Sequence, residues 1–536
     1  MPGPPGTSAT LPVSASSTGV SSVAPGIAAS SNSGLGRDLT VVRIPLRSAK
    51  HHFGASNARG SRPYNEDTNQ AGTIDMPAFA KLAPISLVRS AISNSRSTGE
   101  GITADGAGGD PQIFYFAVFD GHGGTECADF LRDELHGYIE ETAADFGLTS
   151  SLRRKGRGGA AVGGASSVAA ADNKEKDSDD SDSGSSSRGA EDSEQPEQDH
   201  TTTAINLQRE LLQEYRSTVG GYFRRFKPAC FADGIALPSS RRAASSPSPP
   251  LPSAPMSSSP TPPVTIESVL TYAFLRADLD FVSAQARKPD PDDPYVSDFP
   301  LNQDEILGAP HHQPPSGHGI GGPVRFKGGS TASVALISTP TPAPFWHPAA
   351  RSTLMVAHVG DTRVLLCETA TGQARPLTRD HHPSSPVEAR RLTRFAESLV
   401  TDSFGEERIS GLANSRAFGD MQSKRIGVSA EPEMERVELG PAQFSFLVLV
   451  SDGVSGTLSD QEIVDVVKEA RTPEQGSRAV VEYATEVSRD GDNATCLVVR
   501  LGGWERRSEG GVGSMGTKEL RDARRAEAND PRRGRM

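Results

Sequence analysis

Six short apolar runs, each about as long as a β-strand, constrain the fold of this 536-residue chain more than any other feature. They span residues 113–119, 331–338, 354–359, 363–368, 444–450 and 494–501. Apolar runs of this length, bounded by turn residues, predict strands with buried side chains. The runs do not alternate regularly with helical segments, as the strands of a parallel sheet do. We therefore expect antiparallel sheets.

Two of the runs are separated only by Gly360, Asp361 and Thr362. A three-residue link of this composition is typical of a β-hairpin. We therefore expect the runs 354–359 and 363–368 to lie side by side as an antiparallel pair.

Three apolar stripes with helical spacing lie between the strand-like runs. The clearest stripe consists of Ile266, Val269, Leu270, Ala273, Phe274, Ala277 and Phe281. The other two consist of Cys127, Phe130, Leu131, Tyr138 and Ile139, and of Val480, Tyr483, Ala484 and Val487. Long helices among antiparallel strands predict an α+β sandwich, in which two sheets pack face to face and helices cover the outer faces.

Composition separates segments that can bury a core from segments that cannot. Hydrophobic residues make up 35% of the sequence and aromatic residues 6%, so the core is concentrated in part of the chain. We expect a disordered N-terminal tail at 1–40, one domain at 41–504 and a mixed-charge C-terminal tail at 505–536. Low-complexity stretches are interpreted as insertions in the domain, at about 150–203, 240–263 and 288–323.

Charge and hydropathy exclude two functional classes. The chain has 67 acidic and 55 basic residues and a net charge of −12, whereas a nucleic-acid-binding protein needs a basic surface. The longest apolar runs are far shorter than the roughly 20 residues that a membrane-spanning helix requires. We therefore expect neither a nucleic-acid partner nor a membrane span.

Cysteine usage and the N-terminal segment indicate an intracellular protein. The four cysteines are widely spaced, so neither a disulfide framework nor a zinc site is indicated. The first 36 residues carry no charge and lack the basic start of a secretory signal. Because this segment is serine-rich and free of acidic residues, mitochondrial import stays open. We expect the protein in the mitochondrion, or in the cytosol or nucleus.

Aspartates recur where the predicted strands end. Asp120 and Asp452 follow two strands, Asp361 lies in the predicted turn, and Asp492 precedes the last strand. Converging carboxylates repel each other unless cations neutralise them. Oxygen ligands favour Mg²⁺ or Mn²⁺ over zinc. Two such cations can lower the pKa of a bridging water, which then attacks phosphorus directly.

Ten short blocks in the sequence resemble, in the same order, those of the type 2C (PPM) metal-dependent protein serine/threonine phosphatases. They are GSRPYNED (60–67), FAVFDGHGG (116–124), YAFLRADLDF (272–281), GGSTASVALI (328–337), AHVGDTRVLL (357–366), DHHPSSPVEARRL (380–392), GLANSRAFGD (411–420), VSAEPE (428–433), LVSDGV (449–454) and DGDNAT (490–495). The spelling around GLANSRAFGD is somewhat like that of fungal mitochondrial members. The resemblance implies an α/β/β/α sandwich of two antiparallel sheets flanked by helices, and it implies phosphoprotein substrates. We also expect the protein to be a monomer.

The resemblance also implies a set of metal ligands. Asp120 would bridge two cations, and the backbone carbonyl of Gly121 would bind one of them. Asp452 and Asp492 would hold the other cation. Asp361, with Asp452, would form a weaker third site.

Further roles follow from the same resemblance. Glu66 and Asp67 would hold metal-bound waters, and Asn493 would support the loop that carries Asp492. Arg62 would bind the substrate phosphate, because a guanidinium group matches two phosphate oxygens and stays charged. His122 would protonate the leaving serine or threonine oxygen.

Some positions depart from the family pattern. Gly456 stands where the family usually has an aspartate, and His382 replaces a common lysine. Gly456 is the one feature that favours an alternative, a pseudophosphatase that binds a partner without turnover. Against it, Asp120, Asp452 and Asp492 are all retained. A metal-dependent hydrolase of small phosphate esters is a third hypothesis.

Overall fold

The computed structural model describes residues 52–81, 110–152, 195–231, 264–289, 314–315, 319–392, 400–401, 407–409, 411–507 and 512–530. The predicted N-terminal tail and the insertion at 240–263 lie outside these residues. Among the described residues, no helix is both long and apolar enough to cross a lipid bilayer.

The first of two large sheets contains five antiparallel strands in the order β13-β7-β6-β3-β2. The strands are β2 (Thr68–Ile74), β3 (Ile113–Phe119), β6 (Ala332–Ser338), β7 (Ser352–Val359) and β13 (Glu433–Leu439). Residues of β3 alternate between the two faces of the sheet. Tyr115, Ala117 and Phe119 face the helices, whereas Phe116 and Val118 face the other sheet. Burial on both faces explains why this strand is a continuous apolar run in the sequence.

The second large sheet is also antiparallel, with the order β1-β15-β14-β8-β9. Its strands are β1 (Phe53–Ala58), β8 (Arg363–Glu368), β9 (Ala374–Pro376), β14 (Phe444–Val450) and β15 (Ala494–Arg500). Leu447 and Leu449 of β14 pack against the first sheet, and Phe446 and Val448 pack against the outer helices.

Helices cover the outer face of each sheet. The first sheet is covered by α1 (Glu126–Asp145), α2 (Gln195–Thr218) and α3 (Ile266–Ala286). The second is covered by α7 (Asp460–Glu469) and α8 (Pro473–Val487). A capping box between Ser459 and Glu462 begins α7, and Thr472 caps α8 with proline in its first turn. The predicted α/β/β/α sandwich and the three predicted helices are confirmed.

The predicted hairpin between β7 and β8 is wrong. Strand β7 pairs with β6 and β13 in the first sheet, whereas β8 pairs with β14 and β9 in the second. Residues 360–362 therefore connect the two layers of the sandwich. Each strand is flanked by two partners in its own sheet, and all eight residues of β7 are buried. A short link alone does not distinguish a hairpin from a crossing between layers.

Two helices extend into segments that we interpreted as low-complexity or tail sequence. Helix α2 begins at Gln195, inside the predicted insertion at 150–203, and α9 (Val512–Ala528) lies inside the predicted mixed-charge tail. Arg521 and Arg524 of α9 form ion pairs with Glu469 and Glu462 of α7. The face of α9 that docks is thus charged, so an apolar stripe could not reveal it.

The remaining elements are short. A small sheet joins β4 (Gly121–His122), β5 (Gly329–Ser330) and β12 (Phe418–Gly419) in the order β12-β5-β4. The others are α4 (Pro386–Leu392), β10 (Val400–Thr401), β11 (Glu407–Arg408), α5 (Met421–Lys424) and α6 (Asp452–Ser455), with 3₁₀ helices at Gly221–Arg225 and Trp504–Arg506. The small sheet brings three of the sequence blocks into contact.

Candidate active site and metal centre

Three aspartates converge where the two large sheets meet. Asp120 follows β3, Asp361 lies in the crossing between the layers, and Asp452 begins α6 directly after β14. One carboxylate oxygen from each residue lies within 4.8 Å of the corresponding oxygens of the other two. The backbone N–H of Asp452 also donates to Oδ2 of Asp120 at 3.2 Å.

Burial and mutual repulsion favour the protonated form of these acids in the absence of a cation. Burial, followed by the charges of Asp452, Asp67 and Asp361, raises the pKa of Asp120 well above its usual value. Burial and then the charge of Asp452 raise the pKa of Asp361 to about 7. Burial and then the charge of Asp492 raise the pKa of Asp452 to about 6. A bound cation would reverse this preference by favouring the ionised carboxylates.

The donor atoms of this cluster fit a hard divalent cation. All three residues offer carboxylate oxygens, which suit Mg²⁺ and Mn²⁺. Oδ1 of Asp361 and Oδ1 of neighbouring Asp67 are buried and have no hydrogen-bond partner among the described residues. Buried polar atoms of this kind are costly unless a ligand or water satisfies them.

Asp67 is held behind the cluster by a serine. Oγ of Ser451 donates to Oδ2 of Asp67 at 2.7 Å and accepts from the backbone N–H of Thr495 at 2.9 Å. Burial raises the pKa of Asp67 to about 6, although the hydrogen bond from Ser451 lowers it. Ser451 thus connects the first sequence block to the two strands that carry Asp452 and Asp492.

Asn493 joins the loop of Asp492 to the loop of Glu66. Its Oδ1 accepts from the backbone N–H of Glu66 at 2.8 Å, and its Nδ2 donates to the carbonyl oxygens of Arg59 and Tyr64 at 2.9 and 3.1 Å. Oε1 of Glu66 in turn accepts from the backbone N–H of Gly124. Asn493 therefore occupies a place that suits the supporting role predicted for it.

Asp492 lies outside the group of three converging aspartates. Its Oδ2 accepts a hydrogen bond from Nη2 of Arg62 at 2.8 Å, and its Oδ1 accepts from the backbone N–H of Asn493. The Arg62 side chain is 50% exposed and that of Asp492 is 35% exposed. The residue predicted to bind phosphate is thus paired with a residue predicted to bind metal.

Two glycines permit the close backbone approach that the site requires. A Cβ at Gly121 would lie 2.6 Å from the carbonyl oxygen of Glu66, and a Cβ at Gly453 would collide with the carbonyl oxygen of Asn493. Either substitution would push apart the loops that carry the acidic residues.

His122 lies in the small sheet beside the cluster. Its Nε2 is 2.9 Å from both carboxylate oxygens of Asp420. Burial lowers the pKa of His122, but the hydrogen bond and charge of Asp420 outweigh burial and raise it above the usual value.

Sequence reasoning missed two residues of the site, both in the block GLANSRAFGD. Asp420 contacts His122, and Nδ2 of Asn414 donates to Oδ2 of Asp361 at 2.9 Å. The only sign of them in the sequence is that both are polar residues to which no local turn or helix assigns a role. Gly456 ends α6, where its N–H donates to the carbonyl of Asp452 at 2.6 Å, and it adds no side chain toward the acids.

The sequence is similar to those of known proteins. Residues 324–492 match the family model described as Protein phosphatase 2C. The chain is 28% identical over 468 residues to Protein phosphatase 2C homolog 4 of Schizosaccharomyces pombe, which covers 87% of this chain and 84% of that relative. It is 35% identical over 177 residues to Protein phosphatase 1K, mitochondrial, of Xenopus laevis, which covers 33% of this chain and 44% of that relative.

Among solved structures, the serine-threonine phosphatase 2C from Toxoplasma gondii aligns with a TM-score of 0.42 and 17% identity. The alignment covers 84% of this chain and 94% of that chain.

Proposed function

Because the chain belongs to the protein phosphatase 2C family, we propose that it hydrolyses phosphoserine and phosphothreonine in proteins with the aid of two divalent cations. The observation that carries this proposal is the convergence of Asp120, Asp361 and Asp452 at the junction of the sheets. Mg²⁺ or Mn²⁺ would be the cofactor, because the available donors are carboxylate oxygens.

The chain offers enough acidic groups for more than one cation. Asp120 and the carbonyl of Gly121 would hold the first cation, and Asp120, Asp452 and Asp492 the second. Asp361, which contacts the same cluster, would complete a weaker third site with Asp452. When bound, the cations would lower the pKa of a water molecule and screen the negative charge of the incoming phosphate.

Arg62 would bind and orient the phosphate. Its guanidinium group contacts Asp492, is half-exposed and has further N–H donors for a ligand. A planar guanidinium can donate to two phosphate oxygens at once, which fixes the orientation of the phosphorus for attack.

His122 would donate a proton to the leaving oxygen of serine or threonine. An alkoxide is a poor leaving group, so proton transfer to it lowers the barrier. The His122 ring is 37% exposed, which leaves it accessible to substrate, and its Nε2 is already bonded to Asp420. Nδ1 is therefore the nitrogen available for the transfer.

The pseudophosphatase alternative is not favoured. A protein that only binds a partner would not need Asp120, Asp361 and Asp452 to converge at an energetic cost. The absence of a side chain at Gly456 affects the surroundings of Asp452 but removes none of the three acids.

The decisive experiment measures hydrolysis of a phosphoserine peptide with chelator, and then with Mn²⁺ or Mg²⁺ added back. Turnover should require the cation, and Asp120→Asn should abolish it. A small aryl phosphate is assayed in parallel. Full turnover in excess chelator, or binding of phosphopeptide without turnover under any cation, would refute the proposal.

A further inference from the structure

We infer that Asp420 is a positioning residue for His122, and that a buried ion pair between Asp278 and Lys424 fixes Asp420 in place. This inference rests on the proposed function, in which His122 protonates the leaving oxygen. Asp278 and Asp420 belong to the sequence blocks 272–281 and 411–420, and Lys424 follows the second block closely.

The contact between Asp420 and His122 determines the direction of the imidazole ring. Nε2 lies 2.9 Å from both Oδ1 and Oδ2, and the Asp420 side chain is only 4% exposed. A carboxylate without competing water holds the proton on Nε2, so the proton that His122 gives to the leaving oxygen is the one on Nδ1. Nδ1 is then the atom presented to substrate.

The backbone of Asp420 is held in an uncommon conformation to make this contact. Its φ is 44°, in the left-handed region, which is unfavourable for a residue other than glycine. Its N–H donates to the carbonyl of Gly328 at 2.9 Å. A Cβ at Gly329 would collide with Oδ2 of Asp420. The carboxylate therefore lies against strand β5 at its glycine, where no side chain blocks it.

Asp278 of α3 anchors the residues on both sides of Asp420. Its Oδ1 accepts from the N–H of Gly419 at 2.9 Å and lies 2.8 Å from Nζ of Lys424. Its Oδ2 accepts from the hydroxyl of Tyr215 at 2.9 Å. Lys424 also donates to the carbonyl of Ala417 at 2.7 Å. Asp278 and Lys424 are completely buried.

A purely structural role is the competing explanation for such a pair. Breaking a buried ion pair destabilises a protein strongly, whatever lies beside it. The chain supplies a matched control two residues away on the same helix. Asp280 is also buried and ion-paired, and the hydrogen bonds described for its side chain run to Arg276 and Tyr138.

The first test is a double-mutant cycle of Asp420→Asn and His122→Gln, assayed on a phosphoserine peptide and on p-nitrophenyl phosphate. Asparagine tolerates the left-handed conformation, so Asp420→Asn removes the charge with little strain. We expect kcat on the peptide to fall roughly 10- to 100-fold, which is part of the 10²–10⁴-fold that a positioned general acid supplies. The aryl phosphate needs no proton on its leaving group, so its loss should be much smaller.

The double variant should be no slower on the peptide than His122→Gln alone, because Asp420 acts through His122. Independent, multiplicative losses in the double variant would overturn the positioning role while leaving the proposed function intact. Equal losses of His122→Gln on both substrates would instead refute the general-acid role and, with it, this inference.

The second test compares Asp278→Asn with Asp280→Asn. Both should lower the melting temperature, but only Asp278→Asn should reduce the ratio of peptide to aryl phosphate turnover. This ratio does not depend on how much of the enzyme is folded. An unchanged ratio in Asp278→Asn, or the same change in Asp280→Asn, would show that the buried pair serves stability alone. If Asp278→Asn does not fold, Lys424→Met replaces it in the same comparison.

Discussion

The guanidinium of Arg62 lies 2.8 Å from a carboxylate oxygen of Asp492, so a candidate phosphate ligand and a candidate metal ligand share one ion pair. Both side chains are substantially exposed, and exposed ion pairs contribute only about 0–1 kcal/mol. Phosphate can therefore replace Asp492 as the partner of Arg62 at little cost. A cation bound by Asp492 would compete with Arg62 for this carboxylate and so would leave Arg62 available to phosphate.

Arg62→Ala should raise KM for a phosphopeptide and lower kcat/KM, because the variant loses capture and orientation of the phosphate. A loss on the order of 10-fold or more in kcat/KM is expected, since each charge-assisted hydrogen bond contributes about 1.5–3 kcal/mol. Steady-state kinetics at saturating Mn²⁺ measure it. Arg59→Ala is the matched control, because Arg59 lies in the same loop and bonds only the carbonyl of Pro63 among the contacts described for its side chain. Similar kinetics for both variants would contradict the assignment.

Asp120→Ala should abolish turnover and the stabilisation that cations give. At a cation concentration of about 100 Kd, binding to the native state stabilises a protein by about 2.7 kcal/mol. Wild-type protein should therefore melt at a higher temperature in Mn²⁺ than in chelator, and Asp120→Ala should melt at the same temperature in both. Differential scanning calorimetry measures the shift. A full Mn²⁺ shift in the variant would place the cation elsewhere.

Three acids of the site should contribute stability to the cation-free protein that is lost as the pH rises. The pKa of Asp361 is raised from 3.8 to about 7, and those of Asp67 and Asp452 to about 6. The folded state therefore binds more protons than the unfolded state in this range, so the stabilisation is complete below about pH 4 and is lost by about pH 7. Thermal unfolding in chelator should show a shallower decline for Asp361→Asn than for wild type. Identical profiles would exclude a raised pKa at Asp361.

A contact between Arg524 of helix α9 and a buried acid of α7 should stabilise the domain. Nη1 of Arg524 donates to Glu462 at 2.9 Å and Nη2 donates to the carbonyl of Thr457 at 2.7 Å, while the Glu462 side chain is only 3% exposed. Arg524→Ala should lower the free energy of unfolding by about 1–3 kcal/mol, because it leaves the buried carboxylate of Glu462 without its arginine partner. Arg489→Ala breaks the exposed pair with Glu527 of α9 and should change little. Urea unfolding measures the stability of both variants. An equal loss of stability in the two would show that burial of the contact is not the cause.

The sequence predicted the parts of the fold in which local pattern and tertiary environment agree. Strands β3, β8 and β14 have the predicted boundaries because they are buried within the sandwich, which requires uninterrupted apolar residues. Asp120 could be predicted as a site residue because it follows β3 immediately.

Other features depend on contacts between distant segments and were not predictable in the same way. Asp420 contacts His122 across 298 positions of sequence, and no spacing rule links them. The link at 360–362 has the composition of a hairpin turn, yet the partners of its strands lie elsewhere. Helix α9 docks through arginines, whereas sequence analysis identifies a docked helix by an apolar stripe.

Because residues 360–362 cross between the layers, the three converging aspartates link the two sheets. Asp120 extends from one sheet, Asp452 from the other, and Asp361 from the segment that bridges them. The sheets therefore cannot slide over each other without separating the three carboxylates. Substitutions in the core between the layers, for example at Phe116 or Leu449, would change cation affinity from a distance, and a bound cation would hold the two layers together.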